Sequence, residues 1–150
     1  MFTEPYRWVR LPVDRSLNAG RSKDGVTVKR ILVVDDDPSM RFLLRLIFEG
    51  SGYEVSEAQH GVAALIKIKD ALPDLVVTDM MMPVMDGGEL IIHLRSNPRT
   101  AALPILAVTP NPDAREAARD ADYVLGKPFD QAMLLAAVRS ILGEQSLATP

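Results

Sequence analysis

Two unbroken apolar runs end on carboxylates: Ile31-Leu32-Val33-Val34 runs into Asp35-Asp36-Asp37, and Leu75-Val76-Val77-Thr78 runs into Asp79. Short continuous runs of this kind predict strands covered on both faces. Between them the period changes. Met40, Leu43, Leu44, Ile47 and Phe48 recur at i, i+3, i+4, i+7 and i+8, which predicts a helix with Arg41, Arg45 and Glu49 on its wet face. Asp36 or Asp37 suits its cap and Pro38 its first turn, and Gly50 and Gly52 stop it. Residues 53–58 alternate as a second strand, and Val62, Leu65 and Ile66 mark a second helix that ends before Pro73.

Beyond Asp79 the alternation continues. Residues 88–95 predict a short helix with Leu90, Ile91 and Leu94 inward, Asn97-Pro98 breaks it, and residues 104–109 form a fourth strand. Ala114, Ala117, Ala118 and Ala121 give a small-residue helical face, residues 123–125 a brief fifth strand, and Leu134, Val138, Ile141 and Leu142 the inner face of a last helix. Five strands alternating with five helices predict an α/β fold, a doubly wound five-stranded parallel sheet, since parallel neighbours need right-handed crossovers. Ligands of such sheets bind beyond the carboxyl ends of the strands. That places Asp35, Asp36, Asp79 and Thr109 on one rim, with Lys127 just past strand five.

The chain has 150 residues, the span of one domain. Residues 1–28, with Pro5, Pro12, Asn18, Gly20 and Gly25, hold no sustained period and are expected as an irregular extension, in which Phe2, Tyr6, Trp8, Val9 and Leu11 are candidates to dock. Residues 29–143 form the predicted domain, and residues 144–150 a tail. The net charge of −3 divides into +2 over residues 1–28 and −5 over the rest. Five cations diluted by three acids make a weak patch, so nucleic-acid binding is not expected. No apolar stretch reaches membrane-spanning length and no secretion signal opens the chain, so a cytoplasmic protein without membrane contact is expected.

Zero cysteines exclude thiolate metal sites, leaving hard oxygen ligands. Carboxylates gathered on one rim repel each other unless a cation intervenes, and few oxygen donors with room for water and phosphate describe Mg2+ better than Ca2+. A metal beside a carboxylate, with the Thr109 hydroxyl and the Lys127 ammonium converging, is a phosphoryl-transfer arrangement in which Asp79 is the nucleophile and forms an acyl phosphate. Met80-Met81-Met82 and Met85 lack a cysteine or histidine beside them and are assigned to packing rather than copper. His60 and His93 have no partner at ligand spacing and receive turn or solvent roles. A haloacid-dehalogenase-type phosphatase needs a second aspartate two residues after the nucleophile, where Met81 stands, and no GxGxxG or Walker sequence is present.

Four motifs in order, Ile31 through Pro38, Val77 through Gly87, Ala107-Val108-Thr109 and Gly126-Lys127-Pro128-Phe129, make residues 29–143 resemble a response-regulator receiver domain of two-component signalling. The resemblance implies a flavodoxin-like fold in which Asp79 accepts phosphate from a histidine kinase or histidine phosphotransfer protein. It implies that Asp36, Asp79 and the Met81 backbone carbonyl bind Mg2+ directly, Asp35 through water, and that Thr109 and Lys127 hold the phosphoryl oxygens. It implies a cis Lys127-Pro128 bond. The expected function is signalling through altered protein–protein contacts with a downstream target, without turnover catalysis; the alternative is a receiver-like binding module indifferent to phosphorylation. Homodimerisation is left open.

Three features depart from the family pattern. Pro110 stands where a backbone N–H ordinarily donates to a phosphoryl oxygen, and proline has none. The stretch from Thr109 to Lys127 is roughly one helical turn short, so the fourth helix is expected to be shortened. The aromatic residue that ordinarily couples to the hydroxyl would stand at Val124, with Tyr123 one residue earlier, so Thr109, Tyr123 and Val124 are the switch candidates.

Overall fold

A computed structural model describes residues 22–23, 26–111 and 116–144. Strand β1 (Arg30–Val34) lies between β2 (Glu54–Ala58) and β3 (Leu75–Asp79); β4 (Ile105–Thr109) pairs with β3, and β5 (Tyr123–Gly126) forms the far edge. Every neighbouring pair is parallel, in the order 2-1-3-4-5. The helices are α1 (Pro38–Gly50), α2 (Gly61–Asp70), α3 (Gly87–Ser96) and α4 (Gln131–Leu142). A minimal antiparallel pair, Ser22–Lys23 with Val26–Thr27, precedes the sheet within the segment expected to be irregular. The docking candidates Phe2, Tyr6, Trp8, Val9 and Leu11, and tail residues 145–150, lie outside the described residues.

The central strands are apolar on both sides because helices cover both. Ile31, Val33, Val77, Leu106, Val108 and Leu125 face Leu44 and Phe48 of α1 and Leu134 and Val138 of α4. The alternate positions, Leu32, Val34, Val76, Ile105 and Ala107, face Ala64 and Ile68 of α2 and Leu90, Ile91 and Leu94 of α3. A strand between two such layers has no polar face to show, which is why β3 and β4 are buried at all five positions each.

The predicted fold class holds. Between β4 and β5 the described residues carry only a turn of 3-10 helix at residues 116–118. Of the predicted alanine face, Ala118 and Ala121 pack against the α2/α3 side of the sheet, Ala117 is exposed, and Ala114 lies outside the described residues.

Two helical faces differ from the sequence pattern. In α1, Leu43 is exposed and only Leu44 and Phe48 are fully buried, while Arg41 and Arg45, expected in water, lean onto β2 and pair with Glu57. In α2 the inward residues are Gly61, Ala64 and Ile68, and Val62 and Ile66 are exposed. That helix is apolar around most of its circumference, so periodicity could not choose the face. Closeness chose it: at Gly61 a Cβ would stand 2.5 Å from the Met85 side chain, so only the smallest residue fits there.

Candidate functional site

Parallel register brings the site together. Val34 pairs with Thr78, so the chain leaves β1 at Asp35 beside Asp79, the last residue of β3. Thr109 ends β4 opposite Gly126, and the Lys127 N–H donates to the Thr109 carbonyl at 2.8 Å, which carries the lysine around onto the same rim. The Lys127-Pro128 bond is cis, as the family resemblance implies.

Asp35, Asp79 and Thr109 are buried, and Asp36 is exposed at the mouth. One carboxylate oxygen from each of Asp35, Asp36 and Asp79 lies within 4.8 Å of the others. Lys127 Nζ stands 3.5 Å from Asp79 Oδ1 and 4.0 Å from Asp35 Oδ2. Burial pushes the Asp35 carboxyl above the usual carboxylate range; the Asp37 N–H opposes this, the Asp79 and Asp36 charges add to it, and the Lys127 ammonium subtracts from it. Three acids facing one ammonium leave an excess of negative charge. All the donors are hard oxygens, so the cluster fits a small divalent cation.

Each group is held by its surroundings. The Asp37 N–H donates to Asp35 Oδ1 at 2.9 Å while the Asp37 carboxylate caps α1 by accepting from the Ser39 N–H. The Met80 N–H donates to Asp79 Oδ1 at 2.8 Å, leaving Oδ2 as the other oxygen of the rim acid. The Thr109 hydroxyl accepts from the Asn111 N–H at 3.2 Å. Asp86 caps α3 through a capping box with Glu89. Here α3 starts hard against the strand: a Cβ on Gly87 would run into the Asp79 carbonyl oxygen and stand 2.8 Å from Met80 Cα.

The structure gathers Asp35, Asp36, Asp79 and Lys127, with Thr109 at the neighbouring strand end. Met81 follows two residues after Asp79 with its side chain 71% exposed. Tyr123 and Val124 point to opposite faces: Tyr123 is exposed, while Val124 packs with the α2/α3 layer. Of the two histidines, His60 caps α2, its Nδ1 accepting from the Ala63 N–H, and His93 is exposed.

Sequence reasoning missed two contributors. The Thr78 hydroxyl, fully buried, donates to the Asp79 carbonyl at 2.8 Å. Arg41 donates through Nη1 to the Asp35 carbonyl at 2.6 Å and through Nε to Glu57 at 3.1 Å, and Glu57 also accepts from Arg45 at 2.7 Å. The hydrogen bond from Arg45, more than any other influence, holds the Glu57 carboxyl below its usual range. An arginine three residues into the helix was the available signal, and its partner on β2 was not adjacent in sequence.

The family described as response regulator receiver domain matches residues 31–139. The response regulator MprA of a Mycobacterium species (strain KMS) is 43% identical over 119 residues, covering 78% of this chain and 52% of that protein. The chain spans about half the length of several curated relatives it matches. Among solved structures, a putative response regulator from Chloroflexus aurantiacus J-10-fl superposes with a TM-score of 0.75 at 36% identity, covering 79% of this chain and all of that one. The response regulator TrrA of Thermotoga maritima, solved in complex with Mg(2+)-BeF, gives 0.71 at 33% identity, covering 76% and 99%. No helix among the described residues is long and apolar enough to cross a membrane.

Proposed function

The chain belongs to the response regulator receiver domain family, a signalling rather than metabolic domain, and from that premise we propose that residues 29–143 take up a phosphoryl group on Asp79 and signal by altered protein–protein contacts. The observation that carries this is the placement of Lys127 Nζ 3.5 Å from Asp79 Oδ1 within a ring of three carboxylates. Such a ring makes sense as a device that admits a phosphoryl group together with a cation.

In this reading a histidine kinase or histidine phosphotransfer protein presents a phosphoimidazole. An Asp79 carboxylate oxygen attacks phosphorus, the P–N bond breaks as the P–O bond forms, and the departing imidazole takes a proton. Asp36, Asp79 and the Met81 carbonyl would hold Mg2+ directly and Asp35 through water, and the ion supplies neutralisation of the phosphoryl charge. Lys127 balances the remaining charge and orients an equatorial oxygen. Thr109 offers its hydroxyl to another. A third donor, the N–H after Thr109, is replaced by Pro110, so the acyl phosphate is held by one charge-assisted bond fewer.

Incubation with acetyl phosphate and magnesium should add one phosphoryl group by intact mass, and Asp79→Asn should abolish it. Wild-type protein that stays unlabelled with magnesium present would remove this function. The N–H missing at Pro110 favours a second reading, a binding module whose partner affinity ignores phosphorylation. Equal affinity of labelled protein, unlabelled protein and Asp79→Asn for a partner would select it.

A further inference from the structure

We propose that Arg41, braced by Glu57, is a positioning residue that sets the acidic turn at Asp35-Asp36 and thereby the cation affinity of the rim; the cation arm rests on the function proposed above.

The turn has few restraints of its own. After Val34 the backbone leaves the sheet, and Asp36 and Asp37 are exposed. Two hydrogen bonds hold the strand-side half: the Asp35 N–H donates to the Ala58 carbonyl at 3.1 Å, and Asp35 Oδ1 accepts from the Asp37 N–H. The Asp35 carbonyl is held by Arg41 Nη1 at 2.6 Å. That carbonyl belongs to the peptide joining Asp35 to Asp36, so its orientation sets where both carboxylates point.

Arg41 is aimed by a separate element. Its Nε donates to Glu57 Oε1, whose other oxygen accepts from Arg45, one turn further along α1. Glu57 sits on β2, registered with Val33 one residue before β1 ends. The guanidinium therefore ties α1, the edge strand and the acidic turn into one unit. Only a planar fork can donate in both directions at once; a lysine ammonium on the same stem cannot span the two acceptors in this geometry. The ordinary reading of Arg41–Glu57 is a surface ion pair of little consequence. The side chains argue otherwise, being 18% and 29% exposed, and the Asp35 contact is not needed for any ion pair.

The test has a metal-free arm and a metal arm. Without metal, amide hydrogen exchange at Asp37 should quicken about tenfold in Arg41→Gln and in Arg41→Lys, the effect of removing one hydrogen bond from the turn. Arg30→Gln is the control, because Arg30 pairs with Glu54 at 3.5 Å on the same two strands at the other end of the sheet. With metal, the magnesium concentration giving half-maximal acetyl-phosphate labelling should rise by about tenfold in the Arg41 variants and stay at the wild-type value in Arg30→Gln. Glu57→Gln should move both readouts in the same direction, and adding Arg41→Gln to it should bring little further change, since the two act through one bond. Asp37 exchange in Arg41→Gln no faster than in Arg30→Gln would overturn the inference. If exchange responds but the wild type takes no label, the positioning role stands and the phosphoryl function falls.

Discussion

Asp35→Asn should stabilise the metal-free protein, because burial disfavours the Asp35 charge and pushes its carboxyl above the usual range. The sizes of the competing influences identify the cause. At an effective dielectric of about 20, Lys127 at 4.0 Å lowers the energy of the charged form by roughly 4 kcal/mol. Asp79, with an oxygen no further than 4.8 Å, raises it by roughly 3.5 kcal/mol or more, and the exposed Asp36, screened by water, adds less. The charges nearly cancel. Desolvation is left as the largest influence, several kcal/mol for a buried ion against about 1 to 3 for a neutral amide, offset in part by the Asp37 N–H, whose hydrogen bond favours the charged form. The amide keeps the shape and accepts from the Asp37 N–H as before. A net gain of about 2 kcal/mol follows, a rise in Tm of roughly 5 to 10 °C for a domain of this size.

The pH dependence has a definite sign. Asp35 is raised above its ordinary 3.8, so the fold favours its protonated form, and the wild type loses stability as pH rises through the raised value. Below about pH 3.8 the wild type and variant should therefore melt together; the gap opens above that and is complete once the pH has passed the raised value. Chemical denaturation at a series of pH values without magnesium measures it. Saturating magnesium should narrow the gap by stabilising the wild type more. A variant no more stable than the wild type at pH 7 without metal would refute the reasoning.

Gly87→Ala places a methyl against the Asp79 carbonyl and Met80, and should lower stability by about 2 kcal/mol in urea denaturation while slowing acetyl-phosphate labelling. Val84 has φ 69 with its side chain 74% exposed, and the Met85 N–H closes a tight turn onto the Pro83 carbonyl at 2.7 Å. A β-branched residue there is strained, so Val84→Gly should raise stability by about 1 kcal/mol, read as a shift in urea midpoint at unchanged slope. Pro110→Ala restores an N–H beside Thr109 and should lengthen the acyl-phosphate lifetime by about tenfold, the worth of one charge-assisted bond of about 1.5 kcal/mol. An unchanged lifetime would mean that this N–H does not reach the phosphoryl group.

The strands were legible because a buried parallel strand writes itself as an uninterrupted apolar run, and a carboxylate stops such a run at the rim. Asp35, Asp36 and Asp79 followed from that, and Thr109 and Lys127 from counting strands. Helix faces were less legible. In α2 the inward face is a glycine, an alanine and Ile68, of which only the last carries a hydrophobic signal, against Val62 and Ile66 pointing outward. Arg41 was illegible for a different reason. Its importance comes from a carbonyl and a glutamate 16 residues away, and backbone acceptors leave no trace in sequence.

The site stands on the strands least able to leave the sheet. Asp35 follows β1, and Asp79 and Thr109 end β3 and β4, strands with neighbours on both sides, whereas β5 is a half-exposed edge. Opening of such a molecule proceeds from the margin inward, at lower free energy for edges than for the centre. The margin beside Lys127 can therefore melt and re-form many times while Asp79 stays in place. Modification and response would then sit on different rungs of one stability ladder, and a partner that captures the melted margin would sense the lifetime of the edge rather than a change of shape at the acid.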